Sequence, residues 1–340
     1  MQVKRLAAAL VALAPLYAAA QTNVTVYGLL DGAIESVDAG GSVGRHTNVQ
    51  SGNQSGSRFG FRGSEDLGMG VKAIFNLEAG VAVDTGAQDA AGLFQRRAVV
   101  GLEGGFGTLT LGREYSPLAT IAGATDELGQ GFYGNNLSSF SATRATRRLS
   151  NSINFKSAPF SGVDVMFAYS AGENTAADQA SGNLIAWGAE FKQGGLYVGG
   201  AYQTHKALVA GDTKEYGLGA GYTFAELGGF EIKGNYIAVD PIGASNTYKQ
   251  YNLGAGYPFG ASKFYVNLQQ SKMDNGAKGT AVALAYGYSL SARTNLYASY
   301  ARMNNNGSGA FTLNSGSNTV TPAGAGVDPS ALTVGVRHTF

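Results

Sequence analysis

Side chains able to do covalent or metal chemistry are few in this 340-residue sequence, and they are poorly spaced for it. With no cysteine, thiolate metal sites, thiol nucleophiles and disulfide frameworks are excluded. The three histidines, His46, His205 and His338, fall on separate segments without metal-ligand spacing, and no G-x-S-x-G elbow accompanies the many serines. Gly68-Met-Gly-Val-Lys-Ala73 has the letters of a dinucleotide fingerprint, but strand-like alternation rather than a helix follows it. No catalytic residue, metal or cofactor is therefore expected, and a hydrolase built at a rim from His46 or His205 is the enzyme alternative. What the sequence does carry is charge placed in strands: Arg58, Arg62, Arg96, Arg97, Arg113 and Arg148, with Asp126 and Glu127 in a long stretch lacking strand character. Fixed charges of opposite sign across a narrow passage orient polar solutes and favour one ion sign. They do so only if the elements that carry them point them at a common space.

Those elements are strands. The chain has 24 Lys and Arg against 23 Asp and Glu, which gives no basic surface for nucleic acid, and 51 glycines but only 7 prolines. From Thr22 to Phe340 large apolar residues alternate with small or polar ones. Val71, Ala73, Phe75, Leu77 and Ala79 oppose Lys72, Asn76, Glu78 and Gly80, and Tyr216, Leu218, Ala220, Tyr222 and Phe224 oppose Glu215, Gly217, Gly219 and Gly221. Sixteen candidate strands begin near residues 23, 57, 71, 94, 107, 147, 162, 183, 196, 214, 230, 247, 262, 278, 292 and 330. Tight turns alternate with long polar loops near 40–56, 173–182, 207–213 and 306–327, the pattern of an up-and-down meander.

Residues 1–20 read differently. Lys4 and Arg5 precede an apolar run from Leu6 to Leu16, and Ala18-Ala19-Ala20 precede Gln21, which predicts a signal peptide cleaved between Ala20 and Gln21 and a single domain over 21–340. No later segment is apolar for long enough to cross a bilayer as a helix, so membrane entry requires a closed barrel. Sixteen strands suit the even count of bacterial outer-membrane barrels, and a barrel that wide cannot be filled by its own side chains. The expected fold is therefore all-β: a sixteen-stranded antiparallel transmembrane β-barrel with its polar parity toward water and its apolar parity toward lipid. Aromatics near strand ends, including Phe59, Phe61, Phe155, Tyr222, Phe224, Tyr257 and Phe264, predict girdles at the two interfaces.

Asn23-Val-Thr-Val-Tyr-Gly-Leu-Leu-Asp31, Ser57-Arg-Phe-Gly-Phe-Arg-Gly-Ser-Glu-Asp-Leu-Gly68, Gly107-Thr-Leu-Thr-Leu-Gly-Arg113 and the closing Val334-Gly-Val-Arg-His-Thr-Phe340 resemble the general porins of Gram-negative bacteria, most closely the β-proteobacterial branch. The resemblance runs the length of the chain after the signal peptide. It implies a homotrimer in outer-membrane lipid, with a last strand read by the outer-membrane assembly machinery and ending in Phe340. It also implies a third loop folded into the barrel, here the stretch from about Tyr115 to Thr146 that carries Asp126 and Glu127. The function implied is a water-filled passive channel for small hydrophilic solutes and ions, with no nucleic-acid partner. A substrate-selective channel with a saturable lumen site is the alternative.

Parity then assigns the charges. Phe59 and Phe61 toward lipid turn Arg58 and Arg62 inward, and Leu149, Ile153 and Phe155 toward lipid turn Arg148, Ser150, Ser152 and Asn154 inward. Arg96 and Arg97 are adjacent and cannot both face the pore from one strand; the resemblance selects Arg96. A basic ladder of Arg58, Arg62, Arg96 and Arg148 is expected to face Asp126 and Glu127, giving a mild anion preference that the inward-parity acids Asp31, Glu35, Glu78, Glu215 and Glu231 would oppose. Arg113 shares the parity of Leu109 and Leu111 and points outward, where a mid-membrane arginine costs ~2–4 kcal/mol. It is therefore expected at headgroup level or at a subunit interface, with the loop of residues 84–89 as a neighbour.

Overall fold

The computed structural model describes residues 23–88, 92–141, 144–172, 182–206, 211–241 and 246–340. The signal segment, with Ala20 and Gln21, lies outside the described residues. The strands are β1 (Asn23–Asp38), β2 (Arg45–Ser51), β3 (Arg58–Gly68), β4 (Val71–Gly80), β5 (Arg97–Gly104), β6 (Gly107–Tyr115), β7 (Arg148–Ser157), β8 (Val163–Ser170), β9 (Leu184–Gln193) and β10 (Leu196–His205). They continue with β11 (Thr213–Phe224), β12 (Phe230–Pro241), β13 (Tyr248–Phe259), β14 (Ser262–Met273), β15 (Lys278–Ser289), β16 (Thr294–Asn305), β17 (Leu313–Asn314), β18 (Thr319–Val320) and β19 (Ser330–Thr339). A single α-helix among the described residues, α1, spans Pro117–Ala124.

Neighbouring strands pair antiparallel in chain order, and β1 closes the sheet by pairing with β19 along one edge and with both β2 and β3 along the other. Since β2 and β3 continue one another along β1, they form one stave, and the closed wall has sixteen. This corrects the single loop expected over residues 40–56. Arg45–Ser51 is a strand of the wall, and 52–57 is a detour that leaves it. In Arg45–Ser51 a single large apolar residue, Val49, holds the outward parity, so the stretch reads as polar loop even though it is paired.

Outward positions carry the exposed apolar side chains, such as Val334 at 59% and Leu218 at 67%, while inward positions carry Asn, Gln, Ser and Glu. Exposed hydrocarbon around a complete wall means that lipid is the solvent for that face, and a closed wall leaves no edge strand unpaired within it. Aromatic contacts form belts at both ends of the wall. Tyr222, Phe224, Phe230 and Tyr257 contact one another near the short turns, and Tyr202, Tyr216, Tyr236 and Tyr251 follow one another near the long loops. At the closing seam Phe340 lies across Gly28. Their backbones exchange two 3.0 Å hydrogen bonds, and a Cβ on Gly28 would come within 2.5 Å of the phenyl ring. Leu332, Val334, Val336, His338 and Phe340 share the outward face of β19, as the alternation predicts.

Candidate channel constriction

The segment between β6 and β7 starts as a helix for local reasons. The Ser116 hydroxyl accepts from the Ala119 amide at 3.2 Å, and Pro117 occupies the first helical position, where its missing N–H costs nothing. Leu118, Ile121 and Ala122 of α1 are buried against the inward faces of β8 to β11. Glycine in the wall permits that approach. A Cβ on Gly217 would lie 2.8 Å from Leu118, one on Gly199 3.1 Å from Ile121, and one on Gly219 2.4 Å from the Thr125 hydroxyl.

Beyond α1 the segment crosses the interior and bonds to strands on the far wall. Asn235 donates to the Thr125 carbonyl at 3.0 Å, Asn267 donates to the Gly134 carbonyl at 2.8 Å, and the Tyr133 hydroxyl donates to Glu35 of β1 at 3.0 Å. These donors and acceptors all occupy inward positions of β12, β14 and β1, so residues 116–141 and 144–147 lie inside the barrel. A second element folds inward beside them. In the β17–β18 hairpin, Asn318 donates to the Ser51 carbonyl at 2.8 Å and to Asn53 at 2.9 Å, which pins the 52–57 detour from above.

The arginines lie on the wall that this segment leaves open. Arg58 and Arg62 line a cavity of about 600 Å³ together with Arg97, Glu78 and Glu114, closed on one side by Pro117 and Thr120 of α1. Arg62 also sits 5.1 Å from the Tyr27 ring. Arg96 donates to Glu78 at 2.8 Å, with Arg58 3.8 Å from the same carboxylate, and Arg97 donates to Glu114 at 2.8 Å. Both adjacent arginines therefore reach inward carboxylates, against the expectation of only one. Arg96 precedes the first residue of β5, where strand alternation does not yet apply, and Arg97 takes the inward strand position.

Arg148 donates to the Tyr115 hydroxyl at 2.7 Å and joins Arg96, Arg113 and Arg147 around a smaller cavity of about 190 Å³. Arg147, which alternation did not single out, is half-buried there, and that desolvation with the nearby guanidiniums of Arg148, Arg96 and Arg58 pushes it down to about 10, still charged at neutral pH. Its only sequence signal is its place beside Arg148.

Two further expectations are corrected. Leu149 packs inward with Ala168, Leu184 and Ala186, and Ser150 sits on the outer face, accepting from Arg113. The reason is a bulge. Asn151 adopts a left-handed φ of 51°, and the β6–β7 register slips between Gly112 and Glu114, which reverses the parity of β7 before Ser152. The second concerns the acids of the loop. Asp126 is enclosed by its own segment, accepting from the amides of Gln130 at 2.9 Å and Leu128 at 3.2 Å and from Asn252 at 3.3 Å. Glu127 turns to Lys263 at 3.0 Å and Lys233 at 3.4 Å. Among the described residues, the carboxylates that meet Arg58, Arg96 and Arg97 are Glu78 and Glu114, on the same wall.

Arg113 points outward as parity predicts. It is held by the Gln95 carbonyl and Ser150, both at 2.6 Å, at the long-loop end of its strand.

A closed sixteen-stave barrel, dressed in hydrocarbon outside and lined by polar and charged groups inside, with a loop dividing its interior, defines a passive channel of the bacterial outer membrane. The chain belongs to the Gram-negative porin family, which matches residues 7–308. It is 30% identical to an outer membrane porin protein of Bordetella pertussis, with the whole of both chains covered. It is 31% identical to outer membrane porin protein 32 of Delftia acidovorans, over 97% of this chain and 99% of the relative. Among solved structures, an anion-selective porin from Comamonas acidovorans superposes with a TM-score of 0.84 at 25% identity, covering 94% of this chain and all of the other. OmpT of Vibrio cholerae, in its trimer form, shares the fold with a TM-score of 0.70 at 17% identity, over 94% and 99% of the two chains.

Proposed function

We propose that this porin passes small hydrophilic solutes with a preference for anions, and that Arg58, Arg62, Arg96, Arg97, Arg147 and Arg148 are the charges that set the preference. The observation that carries this is the unequal fate of the inward charges. Asp31 accepts from the amides of Gln54 and Ser55 and from Tyr297. Glu35 accepts from Tyr133 and Asn53, and Glu215 from the Thr146 amide and Gln203. Each of these carboxylates is buried under an inward loop, so its field is spent on fixed dipoles. Glu231 is covered by Lys263. The open cavity keeps Arg58, Arg62 and Arg97 against Glu78 and Glu114, and a low-dielectric channel wall makes such an excess count. The anion selectivity named for the Comamonas structure supports the same sign.

The loop 116–147 would set the size cutoff, and a channel rather than an enzyme is the reading that this interior supports. We further infer that three copies assemble through the face that carries Arg113, and that the strand ending in Phe340 is what the assembly machinery reads.

The test is the reversal potential in a salt gradient across a planar bilayer. Wild type should show anion preference, and the double variant Arg58→Ala, Arg97→Ala should lose most of it while still conducting. Cation preference in the wild type would refute the assignment. Saturable block of conductance by one solute would instead favour a substrate-selective lumen.

A further inference from the structure

Asp31 of β1, Arg337 of β19, Asn295 of β16 and Ser289 of β15 form one inward rung, each set directly opposite the next by the pairing register. An acid in that position across strands is the natural counter-charge of an arginine. The 52–57 detour takes it away. Asp31 accepts from the Gln54 amide at 2.8 Å and the Ser55 amide at 2.6 Å, and Tyr297 donates to the same carboxylate. Turned to those donors, Asp31 makes no ion pair with Arg337, and among the described residues no other carboxylate does. The Arg337 Nε is buried without an acceptor.

Arg337 lines a cavity of about 340 Å³ at the short-turn end of the lumen, between Gln54 of the detour and the turns at 260–262 and 289–294. This cavity shares no lining residue with the cavity of about 600 Å³ that holds Arg58, Arg62 and Arg97. Its other cations are Lys263 and Arg293, and no carboxylate lines it. Lys263 is committed to Glu231 at 2.5 Å and to Glu127 at 3.0 Å. Arg293 stands exposed on its turn and makes no ion pair among the described residues. Two guanidiniums without a carboxylate therefore border one polar space, beside Asn295, which donates to Gln54 at 2.8 Å.

We propose that Arg337 and Arg293, with Asn295, form a second anion site at the short-turn mouth of the channel, for a small free oxyanion carrying two negative charges, such as inorganic phosphate. A guanidinium presents its N–H groups as a planar fork that matches a pair of oxygens, which a spherical halide cannot satisfy. Two such forks call for two charges. The site lies beyond the arginines of the constriction and holds the solute at the mouth, where its local concentration governs entry.

The chain has no cysteine, so Ser289→Cys puts a single thiol on the rung, one strand beyond Asn295. The experiment compares the rates at which an anionic and a cationic methanethiosulfonate label it in the full channel, each relative to its rate with a free thiol. The anionic reagent should be several-fold faster, and inorganic phosphate should slow it saturably where chloride at equal ionic strength does not. Adding Arg337→Gln should abolish the protection and bring the two rates together, and Arg293→Gln should weaken the protection several-fold. Heat-modifiable gel migration identifies the folded variants. If Arg337→Gln fails to fold, Arg337→Lys, which keeps the charge and loses the fork, should keep the rate difference and weaken the protection. Equal rates for the two reagents, equal protection by chloride, or protection that survives loss of the Arg337 fork would overturn the proposal. Arg58→Ala with Arg97→Ala should leave the protection intact, and its loss there would return the anion to the constriction and overturn the second site. Cation preference of the wild type in the bilayer would refute the constriction reading while leaving the labelling result as it stands.

Discussion

Whether an acid inside this barrel acts on a passing solute depends on the amides and hydroxyls within about 3 Å of it. Asp126 shows the cost of enclosing one completely. It is 1% exposed, and burial pushes its carboxyl up to about 6 despite the Gln130, Leu128 and Asn136 amides that hold the ionised form. Because this value lies above the ordinary 3.8, the folded loop binds the proton more tightly than the unfolded chain does. Its stabilising effect is complete below pH about 4 and is lost as pH rises through about 6, a difference of about 3 kcal/mol at most. Asp126→Asn removes the titration but keeps most of the shape. The thermal midpoint of wild type should therefore gain on that of the variant as pH falls from 7 to 4. A constant offset across that range would show that the carboxyl titrates normally.

Among the elements, the wall was legible in the sequence and its interruptions were not. Alternation located all sixteen staves, missing only the Arg45–Ser51 half of the second, because each carries several large outward residues. The detour at 52–57 and the bulge at Asn151 escaped it because each depends on a partner far away in the chain: the detour on Asn318 and Ser317 of the β17–β18 hairpin, the bulge on the register with β6. The length of the 116–147 loop marked it as functional. That its acids would turn away from the arginines depended on Lys233, Lys263 and Asn252, which are distant in sequence. The glycine enrichment acquires a local cause where α1 meets the wall. A methyl group on Gly219 would collide with Thr125 at the end of α1, so Gly219→Ala should push the helix into the lumen. The expected cost is about 1–3 kcal/mol of overpacking, absorbed by the loop more readily than by the paired strands. Single-channel conductance should fall while the β-sheet circular dichroism stays unchanged. Unaltered conductance would mean that α1 does not border the conducting path.

At the scale of the whole molecule, the outer face is apolar through its middle, and Arg113 places a charge at the long-loop end of β6. Its guanidinium is satisfied in part by the Gln95 carbonyl and Ser150, neither of which carries charge. An outward guanidinium held by neutral groups at the edge of a lipid-facing wall calls for an anion from outside the chain, and closed rotational assembly supplies one by presenting a different surface of the next copy. The exposed Asp84, in the loop that follows β4, is a described acid on the adjoining loop; Asp89 lies outside the described residues. Arg113→Ala should therefore lower the temperature at which trimers dissociate on a gel, leaving each monomer's barrel folded and heat-modifiable. Asp84→Asn should lower it too, and the two changes combined should cost less than the sum of their separate effects, as expected when two residues share one interaction. Unchanged dissociation in Arg113→Ala would remove this arginine from the interface and leave it at headgroup level, bound to lipid. If the assembly is a trimer, reconstituted wild type should also open in three equal conductance steps, and a single step would refute the three-copy reading independently of Arg113.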